Sequence, residues 1–336
     1  MAVTLTGLAG AADEWSVKPD EAMQQAQEQK KGVLMEFTGS DWCGACIMQK
    51  KQAFSRPDVM KAITKAFIPV ELDFPRRKPQ DEQTKKRFEE LKIAYDINAY
   101  PTLIFTDSQG KPVHIVIGYN NPEQVMGDAA RAEQALKTQQ EMLAKLSGQL
   151  SNDERKNAVI KLLKTVPESS IRTFYKPFFE ELPTLDPSDT CGIRTTLERK
   201  DLLQRQTNEM VAHFREHNLF ANRDSKPDES LVLLNDYLKK PDLLPEVRQK
   251  VLMNKVNLLI NQNRVTELEQ FLKEGIAQSP DSREGQLFQA LLKKLPEIQK
   301  ARANLKPGEQ PPLPPGAIPA TKMIMPPAAA PKTAQP

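Results

Sequence analysis

The chain has 336 residues, with 47 Lys and Arg against 44 Asp and Glu and a formal net charge of +3 at neutral pH. A balance this close calls for neither nucleic acid nor an anionic membrane surface as partner, and no apolar stretch reaches the length of a bilayer span. Three cysteines are too few for a disulfide-built scaffold, and the length exceeds one ordinary core, so two domains and a tail are expected.

Residues 1–12 are small and mostly apolar before the switch to Asp13-Glu14. Ala9-Gly10-Ala11 has the small-x-small form of a signal-peptidase site without a basic region ahead of it, which reads as the remnant of an export signal or as a disordered N-terminus. Export would put the protein in a bacterial periplasm or cell envelope, with the cytoplasm as the alternative.

A helix is expected near 19–30 and a strand at 33–38, from the run Gly32-Val33-Leu34-Met35-Glu36-Phe37. Thr38-Gly39-Ser40-Asp41 carries turn and N-cap chemistry, and a helix follows from 44 to about 55. Cys43 therefore falls at a helix N-terminus, where unpaired N–H groups and the macrodipole favour a thiolate, and Cys46 lies one turn later on the same face. In this strand-to-helix context the Cys-x-x-Cys reads as a redox pair. Half a zinc site is the other reading, and it lacks its second half, because Cys191 stands alone.

The expected elements continue with a strand at 67–73, a helix at 80–95, strands at 102–107 and 112–118 around an Asp107-Ser108-Gln109-Gly110 hairpin turn, and a helix at 122–147. Arg76-Arg77-Lys78 and Lys85-Lys86-Arg87 invite an anionic ligand. Asp81, Glu82, Glu89 and Glu90 alternate with them, so the segment reads as a solvated surface.

After 150 the strand signals stop and apolar residues recur at helical spacing, as in Val159, Leu162, Leu163 and Val166. Val247–Asp281 reads as a helical hairpin and resembles a tetratricopeptide unit, with a turn at Asn261-Gln262-Asn263 and a stop at Ser279-Pro280-Asp281. From 306 the chain is dense in proline and is expected to be extended and disordered. His213 and His217 share a helix face without an accompanying acid motif, so no metal site is assigned to them. Cys191 is a loop thiol, more plausible as an incidental residue than as a disulfide relay.

Two segments carry a resemblance. Phe37-Thr38-Gly39-Ser40-Asp41-Trp42-Cys43-Gly44-Ala45-Cys46 is similar to the active-site segment of bacterial, often exported, thioredoxin-like proteins, and Ile97-Asn98-Ala99-Tyr100-Pro101-Thr102-Leu103-Ile104-Phe105 resembles the cis-proline loop of that family. The resemblance covers about 15–147. It implies a cis Pro101 facing the sulfurs, a Tyr100 backbone edge for an extended substrate, and Trp42 and Tyr100 flanking the centre. Allowing one inserted residue in the turn, it also puts Glu36 at the position of the buried acid that handles the proton of the second cysteine. Gly44-Ala45 departs from the pairs of thioredoxin and of protein disulfide isomerase; with no His⁺ to hold the thiolate, a relatively reducing pair is expected.

The expected organisation is a signal remnant or disordered segment at 1–14, an α/β thioredoxin-like domain at 15–149, an all-α helical-repeat-like domain at 150–305 and a disordered Pro/Ala-rich tail at 306–336. The expected function is thiol-disulfide exchange with protein substrates by Cys43 and Cys46, leaning to reduction, with a thiol electron donor and no cofactor beyond the redox-active disulfide itself. The alternative is a partner-binding envelope protein whose helical domain docks the partner while the thioredoxin-like fold is an auxiliary platform.

Overall fold

In the computed structural model residues 15–222 and 225–303 are described; the signal-remnant segment 1–14 and the Pro-rich tail lie outside the described residues. Four strands, β1 (Gly32–Thr38), β2 (Phe67–Asp73), β3 (Thr102–Thr106) and β4 (Pro112–Ile117), form one sheet in the order β2-β1-β3-β4. β1 runs parallel to β2 and antiparallel to β3, and β3 pairs antiparallel with β4. Every residue of β1 is buried, as its near-continuous apolar run requires of a central strand covered on both faces.

Alternation along β1 divides the core. Val33, Met35 and Phe37 pack with residues of α1 (Pro19–Gln29) on one face. Leu34 packs on the other, where Glu36, two residues on, also falls. The helix after the first cysteine, α2 (Gly44–Gln49), passes into a π-helical turn at Lys50–Phe54 and ends before α3 (Pro57–Thr64). The sequence reading leaves 57–64 without an element. Arg56 is extended ahead of Pro57, which takes the first helical position, so the chain starts a new helix here. α4 (Glu82–Ala94) adds Phe88 and Leu91 to the first face, and α5 (Pro122–Leu146) joins α3 on the second.

The first compact unit extends to Arg194 rather than stopping near 150. It takes in α6 (Asn152–Thr165), α7 (Glu168–Phe174) and α8 (Lys176–Leu185). The reason is a buried polar tie that periodicity cannot reveal. The Tyr175 hydroxyl, between α7 and α8, donates to the Pro112 carbonyl at 2.9 Å and accepts from Gln139 Nε2 at 2.9 Å, while Gln139 also donates to Asp107 Oδ2 at 2.8 Å. Phe174 stacks on Tyr95 with ring centroids 5.2 Å apart.

The second unit begins at Thr195 and has helices and turns but no strand among its described residues. It contains nearly all of α9 (Ile193–Glu216), then α10 (Leu219–Asn222), α11 (Pro227–Leu238), α12 (Pro245–Asn261), α13 (Leu268–Gln278) and α14 (Arg283–Arg302). Phe214, Tyr237, Val251, Leu259, Leu272 and Phe288 lie in its core. The α12–α13 hairpin falls where the sequence places it. Gly275 admits the Phe288 ring against its backbone, which brings α13 and α14 close together. Gln249 donates to the carbonyls of Gly275 and Ser279 at 2.8 Å each and accepts from Ser282 Oγ at 2.7 Å, tying α12 to the turn between α13 and α14.

Candidate active site

Cys43 is the N-cap of α2, with extended backbone, and its Sγ accepts the Cys46 N–H at 3.2 Å. A first-turn amide with no helical carbonyl to serve is thus aimed at the sulfur, with the positive end of the helix dipole behind it. Cys43 and Cys46 form a disulfide with Cα atoms 5.3 Å apart. Cys43 is 7% exposed and Cys46 1%, so an incoming group reaches Cys43 first. The space in front of Gly44 is open, since a side chain there would meet no atom within 4 Å.

The turn that presents Cys43 is held from both sides. The Cys43 N–H donates to the Gly39 carbonyl at 2.9 Å, and Ser40 gives its N–H to Asp73 Oδ1 at 2.8 Å and its hydroxyl to Oδ2 at 2.6 Å. Trp42 Nε1 donates to the Phe74 carbonyl at 2.7 Å, and the Phe74 N–H donates back to Thr38 at 2.9 Å. Asp41 accepts from three consecutive amides, those of Arg76 at 3.0 Å, Arg77 at 2.6 Å and Lys78 at 3.2 Å, and these bonds hold its carboxyl below the usual carboxylate range.

Tyr100 and Pro101 are brought to the same end of the sheet. Their peptide bond is cis, and Thr102, the next residue, pairs with Phe37 near the end of β1. The Tyr100 ring lies edge-on to Trp42 at 5.4 Å and to Phe74 at 5.6 Å. Burial pushes its hydroxyl up to about 12, so it stays protonated and serves as an apolar wall beside Cys43. Ile47 and Met48, on α2 just after the cysteines, are exposed apolar side chains.

Glu36 is 1% exposed, and its Oε1 has no hydrogen-bond partner. Burial, reinforced by Glu71 directly across the β1–β2 pair, pushes it up to about 8, while Lys50 opposes the shift. Lys50 holds Glu71 at 2.5 Å and lies four residues beyond Cys46, on the same side of the helix. The acid therefore sits on the sheet face that carries α2's continuation, within the field of a lysine one turn from the buried sulfur. Lys50 is legible as the i+4 neighbour of Cys46. Glu71 and the grip of Asp41 on residues 76–78 need the strand register and the loop, and sequence reasoning does not find them.

The other candidates are engaged in contacts of their own. Cys191 is a free thiol whose N–H donates to Asp186 Oδ2 at 2.9 Å, and burial pushes the thiol up. Asp186 is occupied by Thr190 Oγ1 at 2.6 Å and Lys156 Nζ at 3.0 Å as well. His217 Nδ1 lies 2.9 Å from the His213 carbonyl, so that nitrogen is engaged within the helix.

Residues 19–128 match the thioredoxin-like domain family. The chain is 33% identical over 91 residues to the disulfide bond reductase DsbH of Chlamydia pneumoniae, covering 27% of this chain and 55% of that protein. It is 27% identical over 107 residues to the thioredoxin-related protein DsbJ of Chlamydia pneumoniae, covering 32% and 31%. The thiol:disulfide interchange protein DsbD of Klebsiella pneumoniae is 32% identical over 92 residues, covering 27% and 14%. The chain thus spans about half or less of the length of these curated relatives. Residues 19–128, with the Cys43–Cys46 disulfide at the start of α2, thus match a thioredoxin-like domain.

Proposed function

We propose that this protein is a thiol-disulfide oxidoreductase that reduces protein disulfides through Cys43 and Cys46 in the cell envelope. The observation that carries the reading is the Cys46 N–H aimed at the Cys43 sulfur at the helix start, 3.2 Å away, because this donor and the dipole behind it favour the thiolate that attacks. The names of the reductase and interchange relatives support the class and the direction, and Gly44-Ala45, without a His⁺ between the cysteines, supports the same direction.

In the dithiol form the Cys43 thiolate attacks one sulfur of the substrate disulfide, and the other sulfur leaves as a thiolate and takes a proton. Cys46, giving its proton to the ionised fraction of Glu36, then attacks Cys43 Sγ, forming the Cys43–Cys46 bond and releasing the second substrate sulfur. Two electrons pass to the substrate, and an external dithiol donor restores the pair. A carboxyl lifted to about 8 is close to an ordinary thiol, so the proton moves between them at little cost. Trp42, Tyr100 and Pro101 form the surface against which the substrate segment lies. The helical second unit selects partners, using exposed side chains such as Phe220 and Val232.

Trapping tests the reading. Cys46→Ser should accumulate mixed disulfides through Cys43 in cells, and Cys43→Ser/Cys46→Ser should not. Equal adducts from both variants would refute exchange by this pair.

A further inference from the structure

Of the two basic clusters between β2 and the end of α4, only the second is ion-paired, at Lys85 and Arg87. Arg87 pairs with Asp20 and Glu90, Lys85 with Glu82 and Lys92 with Glu89, so the helical cluster is the solvated surface its sequence suggests. Arg76, Arg77 and Lys78 are exposed and form no ion pair among the described residues. Their loop is nevertheless fixed against the cysteine turn. Asp41 holds the three backbone amides, the Phe74 carbonyl holds Trp42, and the Arg76 guanidinium lies 3.9 Å from the centre of the Trp42 ring, one residue from Cys43. The two nearby carboxylates, Asp41 and Asp73, spend their oxygens on backbone amides and on Ser40.

We propose that this loop is a specificity element: it favours protein disulfides whose cysteine is flanked by acidic residues. The inference rests on the exchange reading above. A guanidinium stacked on an indole keeps its N–H donors in a fixed plane suited to a carboxylate, and Arg77 and Lys78 add long-range attraction during encounter. A substrate cysteine bonded to Cys43 brings its own neighbours past Trp42, within the screening length of these cations at physiological salt. Acidic flanks gain there and basic flanks are repelled. The Glu-laced α4 surface offers no such discrimination.

The test uses the full chain in its dithiol form and three disulfide-linked peptide dimers that differ only in Asp, Ser or Lys on each side of the cysteine. Each consumes one protein dithiol and yields two peptide thiols and the Cys43–Cys46 disulfide. Every rate is divided by that of dithiothreitol with the same peptide, which removes the intrinsic reactivity of the disulfide. The expected normalised Asp-to-Lys preference is about tenfold at low salt, falling toward one at high salt. Arg76→Gln/Arg77→Gln/Lys78→Gln should bring it within about twofold, while Arg76→Lys/Arg77→Lys, which keeps the charges but loses the stacked planar fork, and Arg77→Gln/Lys78→Gln, which leaves the Trp42 stack, should each be intermediate. A wild-type preference within twofold at low salt, or an undiminished one in the folded Gln variants, would overturn the inference. No exchange even with the Ser peptide would instead overturn the exchange reading on which it stands.

Discussion

Glu36 stands directly across from Glu71 in the β1–β2 register, and Lys50 is bound to Glu71, so two carboxyls share one lysine beside a fully buried strand. The half-buried member keeps the lysine, and the fully buried member keeps its proton to about pH 8.

Stability should follow from this. Between the usual 4.5 and about 8, the folded protein retains a proton on Glu36 that the unfolded chain releases. The contribution is complete below pH 4.5 and disappears as pH rises through 8, with a span on the order of 5 kcal/mol. Denaturant midpoints from pH 5 to 9 should therefore drop for the wild type more than for Glu36→Gln, and the variant should be the more stable at pH 9. Parallel curves would show that Glu36 ionises freely in the folded state.

Neighbouring charges should move the same transition in opposite directions. Lys50→Met removes the cation that lowers Glu36, so the carboxyl should titrate higher; Glu71→Gln removes the leading electrostatic cause of the upward shift, so it should titrate lower. Carboxyl titration followed by isotope-edited NMR or infrared spectroscopy checks the order Lys50→Met, wild type, Glu71→Gln. The rate of the second exchange step should shift its pH dependence in that order too, if Glu36 takes the Cys46 proton.

Removing the Asp41 carboxylate should loosen one loop and little else. Asp41→Ala leaves the amides of Arg76, Arg77 and Lys78 without their acceptor, and their hydrogen exchange should quicken while the core strands stay protected. Because the Asp41 carboxyl is held below its usual range, the wild-type loop should loosen in the same way only at acid pH, as the group protonates through its lowered value. Unchanged exchange at residues 76–78 would mean that other contacts hold the loop.

Tyr175→Phe should destabilise the first unit by about 1–3 kcal/mol, because it removes the hydroxyl that satisfies Pro112 and Gln139 in a buried setting. A fragment ending at 149 should lose more, since Phe174 leaves Tyr95 as well, whereas one ending at 194 should keep the transition of the intact unit. Equal midpoints for the two fragments would assign the helices after 150 no part in holding this unit. Comparison of the partners trapped by the 194-residue fragment and by the full chain, both carrying Cys46→Ser, separates the second unit's role: a smaller set for the fragment is expected.

What the sequence by itself determined is local. An apolar strand, a turn rich in Gly, Ser and Asp, and a cysteine at the first position of a helix are all contiguous, so the redox pair, the helix cap and the hairpin at Asp107–Gly110 are visible without a fold. The period of the helices after 150 is local for the same reason. Neither which charges meet nor where the first unit ends is contained in any window of sequence. Glu71 becomes the neighbour of Glu36 only when β2 aligns in parallel with β1, 35 residues away. Asp41 reaches residues 76–78 only because β1 and β2 end side by side, which turns a basic triplet that reads as ordinary surface into a fixed feature beside Cys43. Tyr175 enters the first unit through a hydrogen bond to Pro112, 63 residues earlier in the chain, and such a contact leaves no periodic trace. These relationships depend on desolvation and on charges meeting across space, and only packing creates either.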